Sequence, residues 1–155
     1  MSRLVYVIGS LRNEAIPTLA NRIETLTDEN GTPLYDVFDD WHGSGPEADD
    51  EWQRWAMERG RTYHEALRGP LARNIYELDK RYLDACDIGV LVMPAGRSAH
   101  LELGYLVGLG KVAYVLFDAT PKRYDVMYQF ATDVFFDVDA LLEALSCRYT
   151  YTDVT

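Results

Sequence analysis

The stretch Asp79–Lys111, DKRYLDACDIGVLVMPAGRSAHLELGYLVGLGK, decides the fold. It reads as a helix, a buried strand over Ile88–Met93, a tight loop over Pro94–Ser98 and a second helix. The strand carries no polar side chain, so both of its faces are expected to be covered, as in a parallel sheet between helices. Glu102 is expected in the first turn of the second helix. A carboxylate there, at the carboxyl end of a central strand, would be held ionised by the helix dipole and free N–H groups. That prepares a nucleophile rather than a general acid. Asp79 offers a second carboxylate from the preceding helix. Two carboxylates facing one small pocket point to glycosidic bond chemistry.

Outward from this stretch, strand and helix patterns alternate. Leu4–Ile8 is a first apolar strand, ending in Gly9-Ser10-Leu11-Arg12-Asn13. Pro17–Thr27 has Leu19, Ile23 and Leu26 on one helical face. Asn30-Gly31 turns into a short strand, Tyr35–Phe38. Asp39–Ala48 (DDWHGSGPEA) is a long polar loop of the kind that forms lids and binding loops. Helical pattern covers Asp49–Arg59 and Tyr63–Leu67, and Pro70 opens a helix to about Ala85. Val112–Phe117 and Val134–Phe136 supply two further strands. Pro121–Ala131 is a loop with a short helix, and Asp139–Leu145 a last helix. The alternation predicts an α/β fold with a parallel sheet covered on both faces. The loops Gly9–Asn13, Asp39–Ala48 and Pro94–Ser98 all follow strands, so they should converge at the switch point of that sheet.

With 155 residues the chain can bury the core of one domain, and 48% hydrophobic composition is that of a globular protein. Its 25 acidic and 15 basic residues leave a net charge of −10. That argues against a nucleic-acid polymer or an anionic membrane as partner, since both need a basic face. Cys86 and Cys147 read as reduced thiols of a cytoplasmic protein. No signal peptide is visible, and no apolar run approaches the roughly 20 residues of a membrane span.

Each candidate site residue has a bland reading beside the functional one. Glu102 could simply favour the helix dipole. Its neighbours Ala99, Leu101, Leu103 and Gly104 are apolar or small, which is unusual around a solvated glutamate. Asp79 could be a surface residue in the charged run Glu77–Arg81. Gly9, Ser10 and Arg12 could form an ordinary turn, or could cradle a phosphate or sugar hydroxyls with backbone N–H groups. Arg97 and Ser98 repeat that chemistry in the next loop. Trp41 lies in the polar loop and could stack on a planar base, whereas Trp52 and Trp55 read better as core. His42, His64 and His100 show no ligand spacing with the cysteines, so no metal site is expected.

These residues resemble the nucleoside 2-deoxyribosyltransferase superfamily. Asp79 and Asp87 match its helix aspartate eight residues before a strand-start aspartate. Leu101–Lys111, LELGYLVGLGK, matches its G-x-E-L-G-Y block and Gly-Lys. Tyr6–Arg12, YVIGSLR, is similar to the opening of the deoxynucleoside monophosphate N-glycosidase branch. Asp125-Val126-Met127 resembles the Asn-Leu-Met segment that these proteins pass to a neighbouring subunit's site. The likeness spans about Leu4 to Ala144. It implies a flavodoxin-like three-layer sandwich with a five-stranded parallel sheet, forming a single domain over residues 1–155. It implies cleavage of the N-glycosidic bond of a nucleoside or nucleoside monophosphate. The sugar would pass to another nucleobase or, in hydrolysis, to water, with neither cofactor nor metal. A non-catalytic nucleotide-binding module is the alternative outside enzymes.

By position, the resemblance makes Glu102 the nucleophile, oriented by Tyr6, with Asp79 helping proton transfer to the leaving base. Gly9, Arg12 and Ser98 would cradle the sugar or its 5′ group. Met127 would contact the ligand in a homodimer or higher homo-oligomer. Three positions depart from the family pattern. Gly96 stands where the transferases carry a further aspartate, His100 where a glycine is usual, and Asp125 where an asparagine or serine is usual.

Overall fold

The computed structural model of the chain describes residues 2–152, with side chains described through Arg148. Five strands form one parallel sheet: β1 (Arg3–Ile8), β2 (Tyr35–Phe38), β3 (Ile88–Val92), β4 (Val112–Leu116) and β5 (Asp133–Phe135). Their spatial order is β2-β1-β3-β4-β5. This is the flavodoxin-like arrangement that the sequence predicts, with the order reversing between β1 and β3. Six helices accompany it: α1 (Ala15–Glu24), α2 (Ala48–Glu58), α3 (Tyr63–Leu67), α4 (Pro70–Ala85), α5 (Arg97–Gly108) and α6 (Val138–Thr152).

The central strands are apolar at alternate and intervening positions because each feeds two cores. Val5 and Val7 of β1 join Ile88, Val90 and Val92 of β3 against Ile16, Leu19 and Ile23 of α1 and Leu141 and Leu145 of α6. Tyr6 and Ile8 point the other way, with Leu91, Ala113 and Val115, against Leu83 of α4 and Leu103 and Leu106 of α5. Tyr6 lies opposite Gly89 in the β1–β3 register. A Cβ on Gly89 would sit 2.2 Å from Leu106 Cδ1, so glycine lets α5 close on the sheet beside the tyrosine. Lys111 ties the next corner: its Nζ donates to the Leu83, Asp84 and Cys86 carbonyl oxygens at 2.9, 2.5 and 2.7 Å, closing the carboxyl end of α4. Asp87 accepts from the Leu4 N–H at 2.8 Å and anchors the start of β3 to β1. The Gly-Lys and strand-start aspartate of the sequence motif therefore have structural work in this chain.

Several boundaries differ from expectation. α1 starts at Ala15 rather than Pro17, because proline is tolerated in a first turn whose N–H groups lack helical partners. α6 continues well past Leu145, where its apolar stripe ends. The expected polar loop Asp39–Ala48 contains a 3₁₀ turn, Asp40–Ser44, and α2–α3 then form an excursion before α4. Among the described residues no helix is long and apolar enough to cross a membrane.

Candidate active site

α5 begins at Arg97, with Gly96 as its N-terminal flanking residue. Glu102 is therefore in the second turn, not the first. The free N–H groups belong to the residues before it, and they do not stabilise its charge. The expectation that the dipole holds Glu102 ionised is overturned. Burial, and then the charge of Asp79, push its carboxyl up to about 8. Asp79 is itself raised to about 6, by burial. No hydrogen bond contributes to either shift. The phenol of Tyr6 is raised far above its ordinary value by burial and by the charges of Glu102 and Asp79.

Three elements thus bring Tyr6, Asp79 and Glu102 within electrostatic reach of one another: β1, α4 and α5. Both carboxyls are partly exposed, and neither has a hydrogen-bond or ion-pair partner among the described residues. Two neighbouring carboxyls raised to different extents make this group the candidate for acid–base or nucleophilic chemistry. Phe38 underlies the group. Its ring stacks on Tyr82 with centroids 3.7 Å apart and lies 5.0 Å from that of Tyr6.

The loop after β1 is pressed into the switch point. A Cβ on Gly9 would lie 2.6 Å from Ile16 Cδ1 and 3.5 Å from the Val92 carbonyl oxygen. Ser10 Oγ accepts from the Arg12 N–H at 3.2 Å, shaping the turn. Arg12 pairs with Asp50 of α2, Nη2 to Oδ2, at 2.8 Å. Asn13, absent from the candidate set, donates to the Met93 carbonyl at 3.4 Å and accepts from the Ala15 N–H at 3.0 Å. It stitches the loop after β1 to the loop after β3. Its position just before α1 is the only signal the sequence carries for this.

Trp41 does not stand free in its loop. The indole Nε1 donates to the Val7 carbonyl at 2.8 Å, and the ring packs against both cores. Arg97 and Ser98 are exposed in the first turn of α5. The histidine of the altered position, His100, is fully engaged: Nδ1 lies 2.7 Å from the Gly96 carbonyl and Nε2 2.9 Å from the Tyr128 hydroxyl. Tyr128, which sequence reasoning did not single out, thereby joins the turn Val126–Phe130 to the start of α5. Asp125 accepts from the Met127 N–H at 2.9 Å, capping that same turn.

His100, Asp125, Met127 and Tyr128 line a cavity of about 450 Å³ on a flank of α5 that excludes Glu102. Within one chain, then, Asp125 and Met127 are not brought to the carboxylate pair. Cys86 is buried and Cys147 exposed, and burial pushes the Cys86 thiol up to about 11. No three His, Cys, Asp or Glu among the described residues are grouped to hold a metal.

No family model matches the chain, and no curated protein matches it in sequence. Among solved structures it is similar to a 2-deoxyribosyltransferase from the psychrotolerant bacterium Bacillus psychrosaccharolyticus. The TM-score is 0.57 at 15% identity, covering 92% of this chain and 95% of that one. A CMP N-glycosidase from Clostridium botulinum aligns over 92% of this chain and 98% of its own, with 13% identity and a TM-score of 0.49. At its identity the first likeness shows a shared fold.

Proposed function

We propose that the protein cleaves the N-glycosidic bond of a nucleoside or nucleoside monophosphate, using Glu102 and Asp79 as its two working carboxyls. The observation that carries this reading is the convergence of Tyr6, Asp79 and Glu102, with the two carboxyls raised to different extents and no hydrogen bond behind either shift. The shared fold with a deoxyribosyltransferase is consistent with it.

Between the two titrations, near 6 and near 8, the pair holds one proton. That proton rests on Glu102, the higher of the two, and its passage to Asp79 as substrate binds leaves Glu102 a carboxylate that can attack and Asp79 a carboxyl that can donate. Glu102, as carboxylate, forms a bond to the anomeric carbon as the bond to the base nitrogen breaks. The electron pair leaves with the base, and the proton held by Asp79 neutralises it. A second base, or water, then displaces the glutamate, and its proton returns to Asp79. Two displacements retain the configuration of the sugar. Tyr6, whose phenol stays neutral, offers its O–H to the Glu102 carboxylate when that charge forms.

Transfer to a second base is the primary reading, and hydrolysis its variant. The two share the first displacement and differ only in the acceptor. Incubation with a panel of nucleosides and their monophosphates, with and without an acceptor base, tests both. Free donor base appearing with acceptor, matched by an equal amount of new nucleoside, and little free base without acceptor, is the transferase result. Base release unaffected by acceptor is the hydrolase result. No release from any member of the panel overturns the reading.

A further inference from the structure

We propose that Asp50, in the first turn of α2, is a specificity-determining residue that acts by holding the guanidinium of Arg12. With the pair closed, the site accepts an uncharged nucleoside as it stands. A 5′-phosphorylated one binds only by drawing Arg12 away from Asp50. The inference rests on the N-glycoside reading above and concerns the charge of the substrate rather than the bond that breaks.

Arg12 belongs to the loop that leaves β1 at the switch point. That loop is pinned against the end of β3 by the Asn13–Met93 hydrogen bond and by the close approach of Gly9 to Val92. Its guanidinium is therefore carried by the loop at the carboxyl end of β1, the side of the sheet where the topology collects binding groups. There it meets Asp50 at 2.8 Å, a residue of another element. Asp49, Asp50 and Glu51 fill the first turn of α2. Asp50 faces Arg12, which makes no second ion pair among the described residues.

The remaining charges at this edge favour the same reading. Asp39 is raised by burial and by Asp40, and Asp79 and Glu102 are raised as described. A phosphate would enter a region that already disfavours negative charge, and it would need cations to do so. Two guanidiniums follow the two central strands. Arg97 makes no ion pair among the described residues, and Arg12 is committed. The Asp125 carboxylate caps its own turn and adds no compensation. The Arg12–Asp50 pair is about half exposed on both sides, so opening it costs little. Exposed pairs are worth up to about fivefold in an equilibrium, a bias against phosphate rather than a bar.

The test is calorimetric titration of the full-length chain with deoxynucleosides and their 5′-monophosphates, for wild type, Asp50→Asn, Arg12→Ala and the double variant. Wild type is expected to bind a nucleoside more tightly than its monophosphate. Asp50→Asn should raise monophosphate affinity by about two- to fivefold and leave nucleoside affinity unchanged. Without Arg12 that gain should disappear, since the effect passes through the guanidinium. A gain that persists without Arg12 means repulsion at a distance and overturns the latch. So does an Asp50→Asn variant that binds both ligands as wild type does, or a wild type that prefers the monophosphate. Binding of neither ligand class by any variant would instead sink the N-glycoside reading, and this inference with it.

Discussion

Asp79 on α4 and Glu102 on α5 are electrostatically coupled across two helices: the charge of the first adds to burial in raising the carboxyl of the second.

Glu102→Gln should keep the fold and lose base release by several orders of magnitude, as removal of a covalent nucleophile does. The change keeps the shape and removes only the carboxylate proposed to bond to the sugar. Chromatography of free base, alongside a thermal melt to verify folding, measures it. Near-wild-type turnover would sink the assignment.

The pH dependence of kcat/KM should be a bell, with limbs near 6 and near 8 that belong to the Asp79–Glu102 pair as a unit. Below the lower limb both carboxyls are protonated and neither attacks. Above the upper limb both are charged and no proton is available for the base. Asp79→Asn should remove one limb. An unchanged bell in that variant would assign the limbs elsewhere.

Stability should carry the same signature. Glu102 is raised from its ordinary 4.5 to about 8, so the folded protein holds this proton after the unfolded chain has released it. Its contribution therefore falls as pH rises from about 4.5 to about 8 and is flat beyond. Glu102→Gln escapes the loss. It should exceed wild type by on the order of 3 kcal/mol above that window, with no advantage below it. Denaturant titrations at the two ends of the pH range decide the point.

Lys111→Met should destabilise the protein by about 2–3 kcal/mol, since three carbonyls at the end of α4 lose a charged donor. Asp79 rides on that helix, so activity should fall at temperatures where the fold still holds. Urea unfolding and kcat of the same preparation separate the two effects. A variant as stable as wild type would deny Lys111 its capping role.

A homo-oligomer is the expected assembly. Ile75 and Tyr76 of α4 are 56% and 62% exposed, and Val126, Met127 and Phe130 are 72%, 57% and 65% exposed. Apolar surface on this scale is usually covered. On α5, Leu103 and Leu106 bury on the sheet, while Leu101 and, just past the helix end, Leu109 are exposed. Sedimentation at micromolar concentration should show a dimer or larger. An active monomer would contradict it.

The parallel sheet was legible because its strands are apolar on both faces, a pattern that few other architectures produce. The pairing of Glu102 with Asp79 was legible from a motif. The state of Glu102 was not, because sequence places a residue along a helix but not at a depth in the protein. A shift of the helix start by a few residues replaced free amides with burial as the deciding influence. Trp41 looked available because its neighbours are polar, yet its indole reaches back to Val7. Asp50 could not be read at all. One carboxylate among three at a helix start carries no sign of a guanidinium 38 positions earlier.

The excursion of α2 and α3 divides the reacting groups along the chain. Tyr6 and Arg12 lie before it, and Asp79 and Glu102 after it. A cut at Gly60, an exposed turn with φ 63°, leaves each fragment holding part of the site and one of the two strands that flank the switch point. Activity regained on mixing them would report reassembly of β1 against β3, so that the proposed reaction itself becomes the reporter for complementation of a split sheet.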